Sequence, residues 1–249
     1  MTLGQRVKVW VERRQRAQRF GIPYFRSKTL RMPNALIING HQCPILVLDE
    51  GSLDYEFSNL FIDDAYGLSL LNGIQTIIDV GANHGFFALC ARGWFPNAVI
   101  QGYEPNPFVW EQFEHNYRLV EAVPFREAIG RRDGRVQIQP FRHSISARTK
   151  TTPDDDGIPM VSLKRALYRI GGTVDLLKLD CEGAEWELLN DADAFQHVKA
   201  VTMEYHDFGF DHVEHYREHA ETSLIKLGFR IERHVPVNRY GHILAVRSP

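Results

Sequence analysis

Five carboxylates dominate the chemistry open to this sequence: Asp79, Glu104, Glu127, Asp180 and Glu204 each close an apolar, strand-like run. In an open α/β sheet, ligands bind beyond the carboxyl ends of the strands, where strand order reverses. Acids there can cap the helices that follow, each contributing a few tenths to about 1 kcal/mol. Five in register call for more than capping, and a ligand with hydroxyls and a positive charge supplies the reason.

The first acid lies in "IIDVGANHGFF", residues Ile77 to Phe87. A β-branched run gives way at Gly81 and Gly85 to a helix start, whose N–H groups lack intrahelical partners. Phosphate, sulfonium or ribose each suit such a turn. Glu104 follows Asp79 by 25 residues, close to the roughly 20-residue spacing at which a nucleotide-binding βαβ unit delivers an acid to ribose hydroxyls. The G-x-G-x-x-G fingerprint is absent, because the turn reads Gly81-Ala82-Asn83-His84-Gly85. That disfavours NAD and an oxidoreductase. S-adenosylmethionine, with ribose, adenine and a sulfonium but no phosphate, fits an acid-lined pocket better.

Transfer of a methyl group from a sulfonium is an in-line displacement, so a protein must align the acceptor and take its proton. The candidates for that base are Asp180, Glu204 and His206, with the imidazole the most easily poised near neutral pH. Asp180, Glu182 and Glu204 offer an alternative, an oxygen site for a divalent metal. We expect no metal ligand set here. His212, His215 and His219 share a helical face with Glu214 and Glu218 but form no H-E-x-x-H, which reads as a solvated surface. Phe86 and Phe87 stand where an aromatic face can press on a sulfonium, or else on the core. Trp186 reads as core.

The elements that must position these groups alternate. Strand-like runs at Thr76 to Val80, Val99 to Glu104, Pro124 to Ile129, Val174 to Asp180 and Val198 to Tyr205 are separated by helix-like segments at Gly85 to Gly93, Pro107 to Val120, Ala184 to Leu189 and His212 to Leu227. The reading is an α/β fold, a Rossmann-like doubly wound, mostly parallel sheet. "FRIERHV" and "HILAVRS", around Asn238 to Gly241, add a C-terminal antiparallel hairpin. Upstream, Tyr55 to Leu71 has helical spacing, and "ALIING" with "PILVLD" reads as a small hairpin around Asn39-Gly40-His41. "RVKVWVERRQRAQRF" reads as a basic helix with a thin apolar stripe, which either lies on an anionic surface or, as we expect, docks on its own domain. Residues 148–159, "RTKTTPDDDGIP", read as a polar loop. The expected organisation is an N-terminal extension over 1–54 and one catalytic domain over 55–249.

Taken together, the motifs resemble those of the FkbM-type methyltransferases, a branch of the class I S-adenosylmethionine-dependent enzymes. "IDVGANHGFFAL", "YEPNP", "DLLKLDCEGAE" and "MEYH" stand in the family's order, across about half of the chain. The resemblance implies that Asp79, Gly81, Ala82, Asn83, Gly85 and Phe86 hold the methionine part of S-adenosylmethionine, with Asp180 beside them. It further implies that Glu104, with Pro105 and Asn106, takes the ribose, and that Glu127 with Ala128 meets the adenine. One position departs: Lys164 in "SLKRAL" stands where the family commonly has an acid. The acceptor implied is a hydroxyl on a small molecule or sugar.

Bulk properties bound these readings. The chain has 249 residues, 44% apolar and 24% charged, with a net charge of −2, so no global field draws it to nucleic acid. Cys43, Cys90 and Cys181 form no C-x-x-C and no disulfide framework. With no long apolar run and no hydrophobic signal core, a soluble, cytoplasmic protein is expected.

Overall fold

The central strands form because their apolar runs are nearly unbroken, the signature of a sheet covered on both faces. The computed structural model describes residues 2–24, 31–48, 53–139, 147–207, 216–237 and 239–247. In chain order its elements are α1 (Leu3–Arg19), β1 (Ala35–Ile38), β2 (His41–Pro44), α2 (Leu53–Phe61), β3 (Thr76–Val80), α3 (Phe86–Trp94), β4 (Val99–Tyr103), α4 (Trp110–Leu119), β5 (Val123–Phe125), β6 (Ala128–Gly130) and β7 (Gly134–Ile138). There follow β8 (Thr149–Thr151), β9 (Ile158–Ser162), α5 (Leu163–Arg169), β10 (Val174–Leu179), α6 (Glu185–Leu188), α7 (Ala192–Phe195), β11 (Val198–His206), α8 (Tyr216–Lys226), β12 (Phe229–Pro236) and β13 (Tyr240–Arg247).

Seven strands make the main sheet in the order β12-β13-β11-β10-β3-β4-β5. β3, β4, β5, β10 and β11 run parallel, and β13 enters antiparallel between β11 and β12. Strand order reverses between β3 and β10, which opens a crevice at their carboxyl ends. Alternation along β3 divides the core. Ile77 joins one cluster with Ala17, Phe20, Phe57 and Phe61, whereas Ile78 joins another with Leu177, Phe195, Met203 and Leu224. The expected architecture, a mostly parallel doubly wound sheet with a C-terminal hairpin, is the one observed.

Several local expectations needed correction. Pro124 to Ile129 is not one strand: β5 joins the main sheet, while β6 starts a second, four-stranded sheet ordered β6-β9-β7-β8. Residues 148–159 are not simply loop, because β8 and the start of β9 belong to that sheet. The Tyr55 to Leu71 helix ends at Phe61, and the chain turns at Asp64 with φ 53° before a short 3-10 turn at Leu68–Leu70. In the small hairpin, Asn39 and Gly40 both take positive φ, so pairing resumes at once with Ile38 opposite His41 and the second strand closes at Pro44. His212 and His215 lie outside the described residues.

Candidate active site

The crevice between β3 and β10 is lined by the two loops that follow those strands, and the loops touch. Gly81 has φ 75°, and a Cβ there would sit 1.8 Å from the Asp180 carbonyl oxygen, so the turn admits no side chain at this position. Its donors are already used. The Gly81 and Ala82 N–H groups donate to the Tyr103 carbonyl at 3.0 and 3.2 Å, and the Asn83 N–H donates to Glu104 Oε2 at 2.7 Å. The turn therefore offers none of these donors to a pyrophosphate, the reverse of what its sequence suggests and a further argument against NAD.

Glu104 stands just beyond β4, buried, with the Asn106 N–H on Oε1 at 2.7 Å. Burial pushes its carboxyl up to about 7, against the pull of those two backbone donors. Close by, Asn83 Oδ1 and Asn106 Nδ2 are buried without hydrogen-bond partners. Tyr103, Pro105, Ala128 and Ile129 complete this end of the cavity.

Asp79 is elsewhere. It is fully buried beneath the turn, where it accepts from Tyr117 Oη at 2.6 Å and lies 3.1 Å from Lys178 Nζ. Lys178 is itself buried and donates to the Gly81 carbonyl at 2.6 Å. Burial alone would lower its ammonium, but Asp79 and Asp180 outweigh that and hold it charged. Asp79 thus shapes the turn from below, outside the cavity lining. Phe86, Phe87 and Ala82 pack in the core, and Gly85 is the left-handed residue that starts α3. Glu127 is also turned away, in a two-point pair with Arg169, whose guanidinium lies over the Phe125 ring at 4.7 Å. Its position depends on a partner that arrives only when α5 packs.

Across the crevice, the D-C-E-G-A-E turn is held by Glu185. This fully buried carboxylate accepts from the Cys181 N–H at 2.6 Å and the Gly183 N–H at 2.7 Å. So fixed, the turn presents Asp180 and Glu182 to the cavity. Asp180 accepts from Tyr66 Oη at 2.6 Å and lies 3.6 Å from Lys178 Nζ. Burial pushes the Glu182 carboxyl up to about 8, and does the same for Glu56 on α2, whose Oε2 has no partner.

Glu204 sits between two imidazoles. His206 Nε2 is 3.2 Å from Oε1, and His242 Nε2 is 2.7 Å from Oε2. Burial would raise Glu204, but the two histidines win and hold it at about 2. Burial would likewise lower His206, yet Glu185, Glu204 and Glu182 around it raise it to about 11. His206 is therefore an imidazolium at neutral pH, and its expected role as proton acceptor is corrected to that of a fixed cation. Asp180, Glu182 and His206 each offer a ligand-type atom within 4.8 Å of the others, with Lys178 3.6 Å from Asp180 and His206 3.7 Å from Glu182.

Sequence reading missed His242, Glu56, Tyr66 and Tyr240, all on the cavity wall. His242 is opposite Glu204 in the β11–β13 pairing, a register that no local pattern reveals. Tyr55 and Tyr240 meet at the mouth, hydroxyl to hydroxyl at 2.8 Å. The cavity volume is about 240 Å³, just below the ~300–1,000 Å³ of small-molecule sites.

Comparison with known proteins agrees with this geometry. Residues 79–231 match the model of the methyltransferase FkbM domain. "Methyltransferase 1" of Beauveria bassiana is 26% identical over 170 residues, covering 57% of this chain and 68% of that protein. "Methyltransferase sdnD" of Sordaria araneosa is 24% identical over 188 residues, covering 59% and 73%. Among solved structures, the Methanococcus jannaschii fibrillarin pre-rRNA processing protein shares the fold with a TM-score of 0.50, at 11% identity, over 86% of this chain and 88% of its own. The chain belongs to the FkbM methyltransferase family and is an S-adenosylmethionine-dependent methyltransferase.

Proposed function

We propose that the enzyme methylates a hydroxyl oxygen on a small molecule or sugar, with His242 as proton acceptor. S-adenosylmethionine fits the residues present. Glu104 would take the ribose hydroxyls, beside the partnerless Asn83 Oδ1 and Asn106 Nδ2. Tyr103, Pro105, Ala128 and Ile129 would flank the adenine, and Gly81 and Asn83 the methionine part. When bound, the cofactor supplies an electrophilic methyl group on a sulfonium.

The observation that carries the reading is that Glu204 and His242 pair on the cavity wall, with His206 holding Glu204 from outside the lining. A hydroxyl attacks poorly unless its proton has somewhere to go. Glu204 meets His242 at Nε2, so the other ring nitrogen, Nδ1, would be the atom that takes the proton, while His206 fixes Glu204 from the other side. Asp180, locked by Tyr66, offers an acceptor for a second hydroxyl. The rings of Tyr55, Tyr66 and Tyr240 beside these carboxylates suit the mixed apolar and hydroxylated surface of a sugar or polyol.

Calorimetric titration with S-adenosylmethionine, S-adenosylhomocysteine and NAD tests the cofactor assignment, and only the two adenosyl ligands are expected to bind. Release of S-adenosylhomocysteine over a panel of hydroxylated acceptors then tests the base. His242→Asn is expected to lose about 10²- to 10⁴-fold in kcat while keeping cofactor affinity. Unchanged turnover across the pH range would overturn the assignment.

A further inference from the structure

α1 docks on the domain by its C-terminal half and projects its N-terminal half. On the docked face, Arg13 pairs with Asp63 at 2.8 Å, Arg16 Nε donates to the Ile62 carbonyl at 2.6 Å, and Ala17 is fully buried. Arg19 Nη1 donates to the Gly93 carbonyl at 2.8 Å, and its guanidinium lies over the Trp94 ring at 4.2 Å. These contacts all lie in the C-terminal half of the helix.

The N-terminal half carries Leu3, Val7, Trp10 and Val11, spaced i, i+4, i+7 and i+8 as one helical stripe. The sequence reading placed a stripe of Val7, Trp10, Val11, Ala17 and Phe20 against the domain; the structure buries Ala17 and Phe20 there and leaves Val7, Trp10 and Val11 exposed. Leu3 is 80% and Val7 53% exposed, with Trp10 and Val11 above a third. Arg14 stacks its guanidinium over Trp10 at 5.4 Å, and Arg6 and Lys8 flank the stripe, against a single acid in the helix, Glu12. A capping box between Thr2 and Gln5 holds the first turn. The protruding half thus starts from a capped first turn, with Leu3 and Val7 exposed.

We propose that α1 is a peripheral membrane helix that lays this stripe on an anionic lipid surface. Charge complementarity selects the occupant. A headgroup layer meets Arg6, Lys8 and Arg14 with negative charge while its acyl boundary takes Leu3, Val7, Trp10 and Val11. A polyanion without an apolar interior would leave the stripe in water. A second copy of this chain would set the same cations against each other.

Co-sedimentation of the full chain with phosphatidylcholine vesicles, and with vesicles of phosphatidylcholine and phosphatidylglycerol at 7:3, tests this. Binding is expected to the anionic vesicles and to fall with salt. Val7→Gln/Trp10→Gln is expected to reduce it at least tenfold with the charges intact. Arg6→Gln/Lys8→Gln/Arg14→Gln is expected to reduce it about a hundredfold, since each cation near the surface is worth ~1 kcal/mol, about a factor of five. Both variants should keep their melting temperature and affinity for S-adenosylmethionine, because none of these residues touches the cleft or the docked face. Three results would overturn the proposal: no binding to anionic vesicles, undiminished binding by the apolar-stripe variant, or a concentration-dependent dimer that the same variant abolishes.

Discussion

Titration of Glu104 gives the cofactor assignment a quantitative test. In the ligand-free protein its carboxyl is pushed up to about 7 by burial, even though the Asn83 and Asn106 N–H groups both donate to it. Ribose hydroxyls donate to the ionised form, so binding should favour the carboxylate. Ionisation rises from about one site in ten at pH 6 to about nine in ten at pH 8, and affinity for S-adenosylmethionine should rise about tenfold over that range, ~1.4 kcal/mol. Calorimetry at each pH, in buffers of different ionisation enthalpy, should also detect close to one proton released on binding at the acid end. Glu104→Gln removes the titration, so its affinity should be flat from pH 6 to 8 and, at pH 8, weaker by roughly 1.5–3 kcal/mol, about ten- to a hundred-fold. Glu56→Gln serves as a control, because the Glu56 carboxyl at about 8 titrates one unit higher. An unaltered pH slope in Glu104→Gln, or unaltered affinity, would refute the role. In the apo protein the sign reverses. With a folded value raised from the ordinary 4.5, Glu104 lowers stability as pH climbs from about 4.5 through 7.

Other perturbations read other parts of the site. Lys178→Met leaves Asp79 buried with Tyr117 as its remaining side-chain donor, so unfolding should lose about 3–5 kcal/mol, a drop in Tm of roughly 6–20 °C for a domain this size. Adding Asp79→Asn should restore most of that, and a loss below about 1 kcal/mol would sink the argument. His206→Gln should destabilise most at or below pH 6.5, since the imidazolium is stabilised by folding to about 11. The difference from the native protein in urea unfolding should shrink by about 1.4 kcal/mol per pH unit above 6.5, and a constant difference would show His206 to be neutral.

Much of the frame was legible because parallel strands covered on both faces announce themselves as apolar runs. "TIIDV" and "VDLLKL" are both strands of a parallel sheet, as read, and they lie side by side in it. The acids at their ends were found too, but their assignments diverged. Asp79 and Asp180 end adjacent strands, and the difference between a buried support and a cavity wall depends on where Lys178 and Tyr117 reach. Glu127 read as a ligand group for want of any sign that Arg169, some forty residues on, would claim it. β8 escaped notice because a three-residue edge strand of Thr, Lys and Thr has no apolar face to betray it. His242 was invisible for a different reason: its neighbour Glu204 is close only through the antiparallel register of two strands separated by α8 and β12.

That same insertion of β13 sets the timing of the molecule's birth. β12 leaves the ribosome before β13, yet it joins the sheet only through β13, the strand that pairs with β11. The strand that completes the sheet is also the one that delivers Tyr240 and His242 to the cleft. The cleft and the sheet therefore depend on the same strand, and a chain stalled before residue 240 completes neither.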